Sequence, residues 1–274
     1  MQTATQLTGR PGFSYNNKKY PGRELFIDQH LLGFQVSGTT HILHSLGHAT
    51  ITANTAVLIR RNQIIRITPY LPEKCPCQFL SFVLNKEMLQ QLAFENSVII
   101  NGRYTPEQNL FFQAGARLKE NLIALASNHR GDKHSTVQPV QIREIVRLLL
   151  EDDPDLKYLL FDFSAPPRTD VSAFMNQHFM FNMPISTFAR AAGYRPAAFK
   201  KIFSERYHRL PKDWLIERRL AEAYHLISQK GHKAAAIYLD LGFRNLSHFY
   251  TAFKKRYGTT SSAIRQSACV EEAL

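Results

Sequence analysis

Apolar and polar positions change rhythm along this chain. From Glu24 to Leu84 the apolar residues fall in short runs separated by turn signals. That pattern predicts strands over Leu25–Asp28, Leu31–Ser37, Thr40–Ser45, Ala49–Thr52, Ala56–Arg60, Ile64–Thr68 and Gln78–Leu84. Ser37-Gly38, Leu46-Gly47, Ala53-Asn54 and Arg61-Asn62 mark the turns. Short strands at such spacing predict a small sandwich or barrel.

After Asn85 the period lengthens. Lys86–Phe94 reads as a short helix. Leu110, Ala114, Leu118, Leu122 and Leu125 recur at four and three, which sets them on one face of a helix over about Pro106–Asn128. Ile142, Ile145, Val146 and Leu149 repeat the pattern. A β unit this small leaves apolar helix face uncovered, so a homodimer through helices at about 106–151 is expected. The plainer alternative is that these helices roof the barrel. Ser164-Ala-Pro-Pro-Arg168 then breaks every period, because successive prolines remove two backbone donors and turn the preceding residue away from helix. It reads as an interdomain linker.

Downstream the pattern is helical throughout. Thr169–Met180 is followed by Pro184–Ala192, a break at Gly193-Tyr194-Arg195, and a new helix from Pro196 to Tyr207. Lys233–Leu241, the turn Gly242-Phe243-Arg244 and a helix through Asn245–Arg256 copy that plan, with Gly242 lying 49 residues after Gly193. A short helix, a glycine turn and a second helix with basic residues near its start is the layout of a helix-turn-helix. Between the copies, Lys212–Gln229 reads as one helix, about 27 Å long at 1.5 Å per residue. Such a strut would space the two second helices by about one DNA turn, ~34 Å.

Charge sharpens the picture. The 274 residues carry a formal net charge of +12. Residues 1–167 hold 17 Lys/Arg against 14 Asp/Glu, whereas residues 168–266 hold 17 against 6. A surplus concentrated in about a hundred residues draws anions, nucleic-acid phosphates first and anionic lipid second. No apolar run approaches the ~18 residues that cross a bilayer, and the first residues lack a signal-peptide layout, so the cytoplasm is expected. Cys75, Cys77 and Cys269 are too few for a disulfide framework, and Cys75-Pro-Cys77 offers two ligands where structural zinc takes four.

The residues carry a family resemblance. Ala189, Gly193, Phe199 and Phe203, then Arg218-Arg219-Leu220 and Ala223, then Gly242-Phe243, Ser247, Phe249, Phe253-Lys254, Gly258 and Arg265 resemble the DNA-binding domain of the AraC/XylS family of bacterial transcription regulators. The likeness covers about residues 170–266 and extends, in architecture alone, to residues 1–163. Within the family it points toward regulators of secretion operons.

The resemblance implies an α+β chain of two domains. An N-terminal cupin-like β-barrel with flanking helices (1–163, strands at about 24–84, helices at about 86–163) would serve regulation and dimerisation. A linker (164–168), an all-α DNA-binding domain with two helix-turn-helix motifs joined by a long helix (169–266) and a tail (267–274) would follow. It also implies double-stranded promoter DNA and RNA polymerase as partners, an activator, and a nucleoid location when DNA is bound. The effector, small molecule or protein, is left open. Three positions depart from the family pattern: Tyr238 for Ala, Ser261 for Pro and His208 for Gly. The Tyr238 ring is expected to push the helices of the second motif apart.

By alignment with the family, Ala197, Lys200 and Lys201 fall at base-facing positions of the first recognition helix, and Leu246, Ser247, His248 and Thr251 at those of the second. Lysine can donate to guanine O6 and N7, and alanine can touch a thymine methyl. Arg195, Asn245, Lys254 and Arg256 are assigned to phosphates, and each Lys could equally be a phosphate contact. Phe199, Phe203, Phe249 and Phe253, at four-residue spacing, belong to the core rather than to a stacking platform. His41, His44 and His48 lack the His-x-His and later Glu of metal-bearing cupins, so they read as ordinary barrel residues. No catalytic triad, phosphate loop, metal cluster or cofactor site is expected, hence no enzyme. Two rivals remain: a cupin-type metal enzyme or sensor whose helical half binds partners, and a nonspecific DNA-coating protein.

Overall fold

A computed structural model describes residues 13–15, 22–45, 47–70, 77–101, 110–128 and 138–271. The chain divides into two compact units, Met1–Ala165 and Pro166–Leu274.

The first unit contains β1 (Phe13–Tyr15), β2 (Arg23–Ile27), β3 (His30–Ser37), β4 (Thr39–His44), β5 (Gly47–Thr52), β6 (Thr55–Ile59), β7 (Gln63–Tyr70), β8 (Cys77–Leu84) and β9 (Leu110–Gln113). They pair antiparallel into a five-stranded sheet, β1-β8-β3-β6-β9, and a four-stranded sheet, β2-β7-β4-β5. The turns use residues that tolerate a left-handed backbone: Gly38 at φ 76°, Asn54 at 67° and Asn62 at 64°.

Strand alternation divides the core into two layers. Leu31, Val57 and Phe79 face the four-stranded sheet and pack with Ile42, Ile51, Ile65 and Ile67. Their neighbours Leu32, Leu58 and Leu80 face outward and are roofed by helices. A sheet covered on both faces needs apolar residues at successive positions, which is why β3 and β8 read as continuous apolar runs.

The expected barrel is not closed. Hydrogen bonding among the described residues leaves two separate sheets, and β9 occupies the edge of β6 that closure onto β5 would need. The expected helix over about 106–128 is also corrected. Residues 110–113 form a strand paired with Thr55–Leu58, and the helix α2 begins at Ala116; residues 106–109 lie outside the described residues. An apolar, aromatic Leu-Phe-Phe segment suits a pleated edge, and Gly115 breaks the chain before the helix. The Gly115 N–H donates to Asp152 Oδ2 at 3.0 Å, and a Cβ there would meet Asp152 Oδ1 at 2.2 Å.

The roof consists of α1 (Lys86–Glu95), α2 (Ala116–Asn128), α3 (Pro139–Asp152) and, after a turn of 3-10 helix, α4 (Lys157–Leu160). Asn85 opens α1 by accepting from Glu87 N and Met88 N at 2.8 and 3.2 Å. Leu118, Leu122, Leu125, Ile145, Val146 and Leu149, the stripes that suggested self-association, are buried against the five-stranded sheet. The roofing alternative therefore accounts for them.

The second unit contains α5 (Val171–His178), α6 (Ile185–Ala191), α7 (Pro196–Tyr207), α8 (Pro211–Lys230), α9 (Ala234–Ile237), α10 (Leu246–Tyr257) and α11 (Ser261–Glu271). Asp170 and Asn245 cap α5 and α10 by accepting from Ala173 N and His248 N, each at 2.7 Å. Gly231 and Gly258 end α8 and α10 in the left-handed region, and His208 does the same for α7 at φ 51°. Pro184 is the N-cap of α6 rather than its first residue. Phe199, Phe203, Phe249 and Phe253 are all fully buried, as their spacing requires, and Phe188 is buried with equal completeness.

Candidate nucleic-acid interface

The helix pairs α6–α7 and α9–α10 close over the same hydrogen-bonded turn. In the first, Gly193 N donates to Arg190 O at 3.1 Å and Tyr194 N to Ala189 O at 2.8 Å. In the second, Gly242 N donates to Leu239 O at 3.0 Å and Phe243 N to Tyr238 O at 2.9 Å. All four groups have counterparts 49 residues away. Both glycines are left-handed, at φ 82° and 80°. Both are also crowded: an added Cβ would lie 2.8 Å from Pro167 O at Gly193 and 2.7 Å from Met180 O at Gly242. Sign of φ and lack of space each exclude a side chain.

Beyond the turn the copies fall out of step by one residue. α7 is capped by Arg195 and begins at Pro196, whereas α10 is capped by Asn245 and begins at Leu246, an offset of 50. In that register Phe199 matches Phe249, Phe203 matches Phe253, and the left-handed caps His208 and Gly258 match. Ala197 then corresponds to Ser247, Lys200 to Tyr250 and Lys201 to Thr251.

Ala197, Lys200, Lys201, Ser247, His248 and Thr251 are all exposed. The Lys201 ammonium lies 3.9 Å from Glu205 Oε1, a loose pair that a phosphate or base could replace. Leu246 departs from the alignment. It is half-buried against the core of the second pair, because it stands where Pro196 stands and not where Ala197 does. Arg195 is exposed at the N-cap of α7. Asn245 spends its side-chain oxygen on His248 N, which leaves its amide group facing outward as a donor. Lys254 and Arg256 are exposed in the last turn of α10.

Tyr238 does not exclude a shared core. It is half-buried against the core of the second pair, while α9 is confined to Ala234–Ile237 where its counterpart α6 runs seven residues.

Sequence patterning missed the residue that fixes the second turn. Arg219 on α8 is 7% exposed, and its guanidinium donates to three backbone carbonyls: Phe179 O at 2.7 Å, Phe181 O at 2.7 Å and Gly242 O at 3.0 Å. It ties the α5–α6 connection and the α9–α10 turn to one helix. Its neighbour Arg218 lies over the Phe179 ring at 4.3 Å and pairs with Glu222 at 3.1 Å. Exposed Tyr250 and Arg244 were missed too. Arg244, Lys212, Asn245 and His248 line a cleft of about 610 Å³ between the starts of α6, α8 and α10, and no carboxylate lines it. That arrangement suits anionic backbone.

In the first unit, His41 Nδ1 lies 3.0 Å from Thr50 Oγ1, and half-buried His44 is held toward its neutral form by burial and by His48. No group of three or more His, Cys, Asp or Glu is assembled to hold a metal among the described residues. Cys77 is buried on β8 with Gln35 Nε2 3.3 Å from its sulfur; Cys75 lies outside the described residues.

A family model described as a helix-turn-helix domain matches residues 188–267. The thermoregulatory protein LcrF of Yersinia pestis is 27% identical over 195 residues, covering 69% of each chain. The HTH-type transcriptional regulator ExsA of Pseudomonas aeruginosa is 31% identical over 129 residues, covering 46% of each. Among solved structures, ToxT from Vibrio cholerae aligns over 93% of both chains at 14% identity with a TM-score of 0.36. The matched domain lies across the duplicated helix pairs, so residues 188–267 carry a helix-turn-helix domain, and the chain is similar over that stretch to these transcription regulators.

Proposed function

We propose that this chain is a sequence-specific transcription activator whose second unit reads double-stranded promoter DNA through two helix-turn-helix motifs. In this reading α7 and α10 enter successive major grooves. Lys200, Lys201, Ser247, His248 and Thr251 face bases, joined by Tyr250 in the position of Lys200, and Ala197 faces a thymine methyl. Arg195, Asn245, Lys254 and Arg256 hold phosphates, as do Lys212 and Arg244 in the cleft between the motifs.

One observation carries the reading. Two helices with the same phenylalanine spacing, opened by the same glycine turn, present exposed cationic and polar residues, and α8 joins the two pairs along the chain. α8 has 20 residues, about 30 Å at 1.5 Å each, close to the ~34 Å repeat of a duplex. The relative VirF of Yersinia enterocolitica is named a virulence regulon transcriptional activator, which favours activation; RNA polymerase is the partner such a role would call for.

The first unit is assigned a cupin-like regulatory role, including homodimerisation through outward residues of α2 and α3 such as Ile123 and Val140, both exposed. No helix among the described residues is long and apolar enough to cross a membrane, in keeping with work at the nucleoid of a bacterial cytoplasm. No reaction and no cofactor are assigned.

Genome-wide mapping of bound DNA, followed by competition with scrambled sites, tests the proposal. A regulator prefers its site by about 10³-fold or more over unrelated duplex. Equal affinity for unrelated duplexes would replace it with a DNA-coating role.

A further inference from the structure

A cavity of about 180 Å³ lies in the first unit, where the β2–β3 turn meets the start of α1 and the segment after α4. Leu84, Leu89 and Leu160 form its apolar wall. His30 reaches it from the first position of β3 and is 5% exposed. Among the described residues neither ring nitrogen of His30 has a hydrogen-bond partner. A buried imidazole without partners is costly, since each unmet donor or acceptor keeps its desolvation penalty. Such a group is retained where something else supplies the partner.

Size and charge narrow the partner's chemistry. An apolar cavity of about 150 Å³ takes a benzene ring, so this one has room for a ring with one small substituent. Burial and the charges of Arg61 and Arg60 hold His30 far down, at about 3, so the ring is neutral and offers one donor and one acceptor. A cation at that depth would meet the same two arginines. An anion would meet Asp28, Glu87 and Asp162 around the opening against Arg61 and Lys86. Arg61 is in addition committed, donating through Nη2 to Asp162 O at 2.7 Å and Ser164 O at 2.5 Å.

We propose that this cavity is a binding site for a neutral, ring-sized molecule carrying one hydroxyl or N–H group, which the His30 ring holds against the wall formed by Leu84, Leu89 and Leu160. Phe163 also lines the cavity, so an occupant bears on the stretch that Arg61 clasps immediately ahead of Ala165-Pro166-Pro167.

The test uses the full chain with ¹⁵N-labelled histidine and phenol as the probe, with benzoate and benzylammonium as charged counterparts. Phenol is expected to shift the His30 ring resonances saturably, and to bind about tenfold more tightly than either ion. Calorimetry should show phenol binding weakened about tenfold in His30→Leu. Should that variant fail to fold, Leu160→Phe fills the cavity from the opposite wall, and the His30 resonances should then cease to respond to phenol. Tighter binding of either ion overturns the ligand class. No response to phenol, with water cross-peaks to the His30 ring, overturns the site in favour of a bound water.

Discussion

Replacing Arg219 by Met keeps most of the stem and removes the guanidinium, which leaves the carbonyls of Phe179, Phe181 and Gly242 without that donor. A hydrogen bond from a charged group contributes about 1.5–3 kcal/mol. Three bonds that share one guanidinium do not add in full, and water admitted to the gap recovers part of the loss. The expected cost is about 3–5 kcal/mol, the range for breaking a buried charged network. For a unit of this size that corresponds to a fall in Tm of about 12 °C or more. Arg219→Lys keeps the charge but not the planar fork, so it should lose roughly half as much. The chain's single tryptophan, Trp214, sits on α8 with its ring 5.6 Å from Phe203 and 5.5 Å from Tyr207. Its fluorescence during urea unfolding therefore follows the second unit alone. A loss under about 1 kcal/mol for Arg219→Met would refute the clamp, because exposed substitutions away from such networks cost no more than that.

Four further outcomes follow from the same geometry. Gly242→Ala should cost at least twice as much as Gly231→Ala, about 1 kcal/mol, since both are left-handed but nothing lies within 4 Å of an added Cβ at Gly231; paired urea melts decide it. His208→Gly should stabilise the second unit by about 0.5–1 kcal/mol by relieving a non-glycine residue at φ 51°, and an unchanged midpoint would argue against strain there. His178 is buried between Phe174 and Phe181, and burial lowers it from 6.5 to about 4 despite its bond to Phe174 O. The unfolded chain then binds the extra proton first, so this contribution is complete above about pH 6.5 and fades as pH falls toward 4. Wild type should lose up to about 3 kcal/mol more than His178→Phe over that window, and parallel pH profiles would contradict it. Lys200→Ala should weaken binding to the cognate site by about 1–3 kcal/mol and relax preference at one base pair; equal loss on random duplex in a competition assay would make the lysine a phosphate contact.

The strands were legible because Gly38, Asn54 and Asn62 announce left-handed turns between runs that need apolar residues on both faces. The segment at Leu110 misled because four-residue spacing into α2 continues across a strand that is defined by its partner on β6, a non-local pairing that no local period encodes. The paired glycine turns could be read from their 49-residue repeat, yet the slip to 50 beyond them could not, since it depends on which residue caps α10. The family alignment sets Leu246 at a base-facing position and leaves Tyr250 out, whereas the helix caps put Leu246 at the half-buried first residue of α10 and Tyr250 on its exposed face. Arg219 enters the sequence reading only as part of the family motif, with no partner assigned to it. Its signal was present, because it falls four residues after Leu215 and four before Ala223 on the buried stripe of α8, where a charge needs partners.

That slip between the copies sets a rule for anyone who would rewire the specificity of this protein. Grafting the outer face of α7 onto α10 by matching the glycines would place Lys200 on the site of Phe249 and drive a lysine into the hydrophobic centre of the second half. Counting from the helix caps places it on Tyr250, in solvent. The two halves are spare parts for one another only when one notch is skipped.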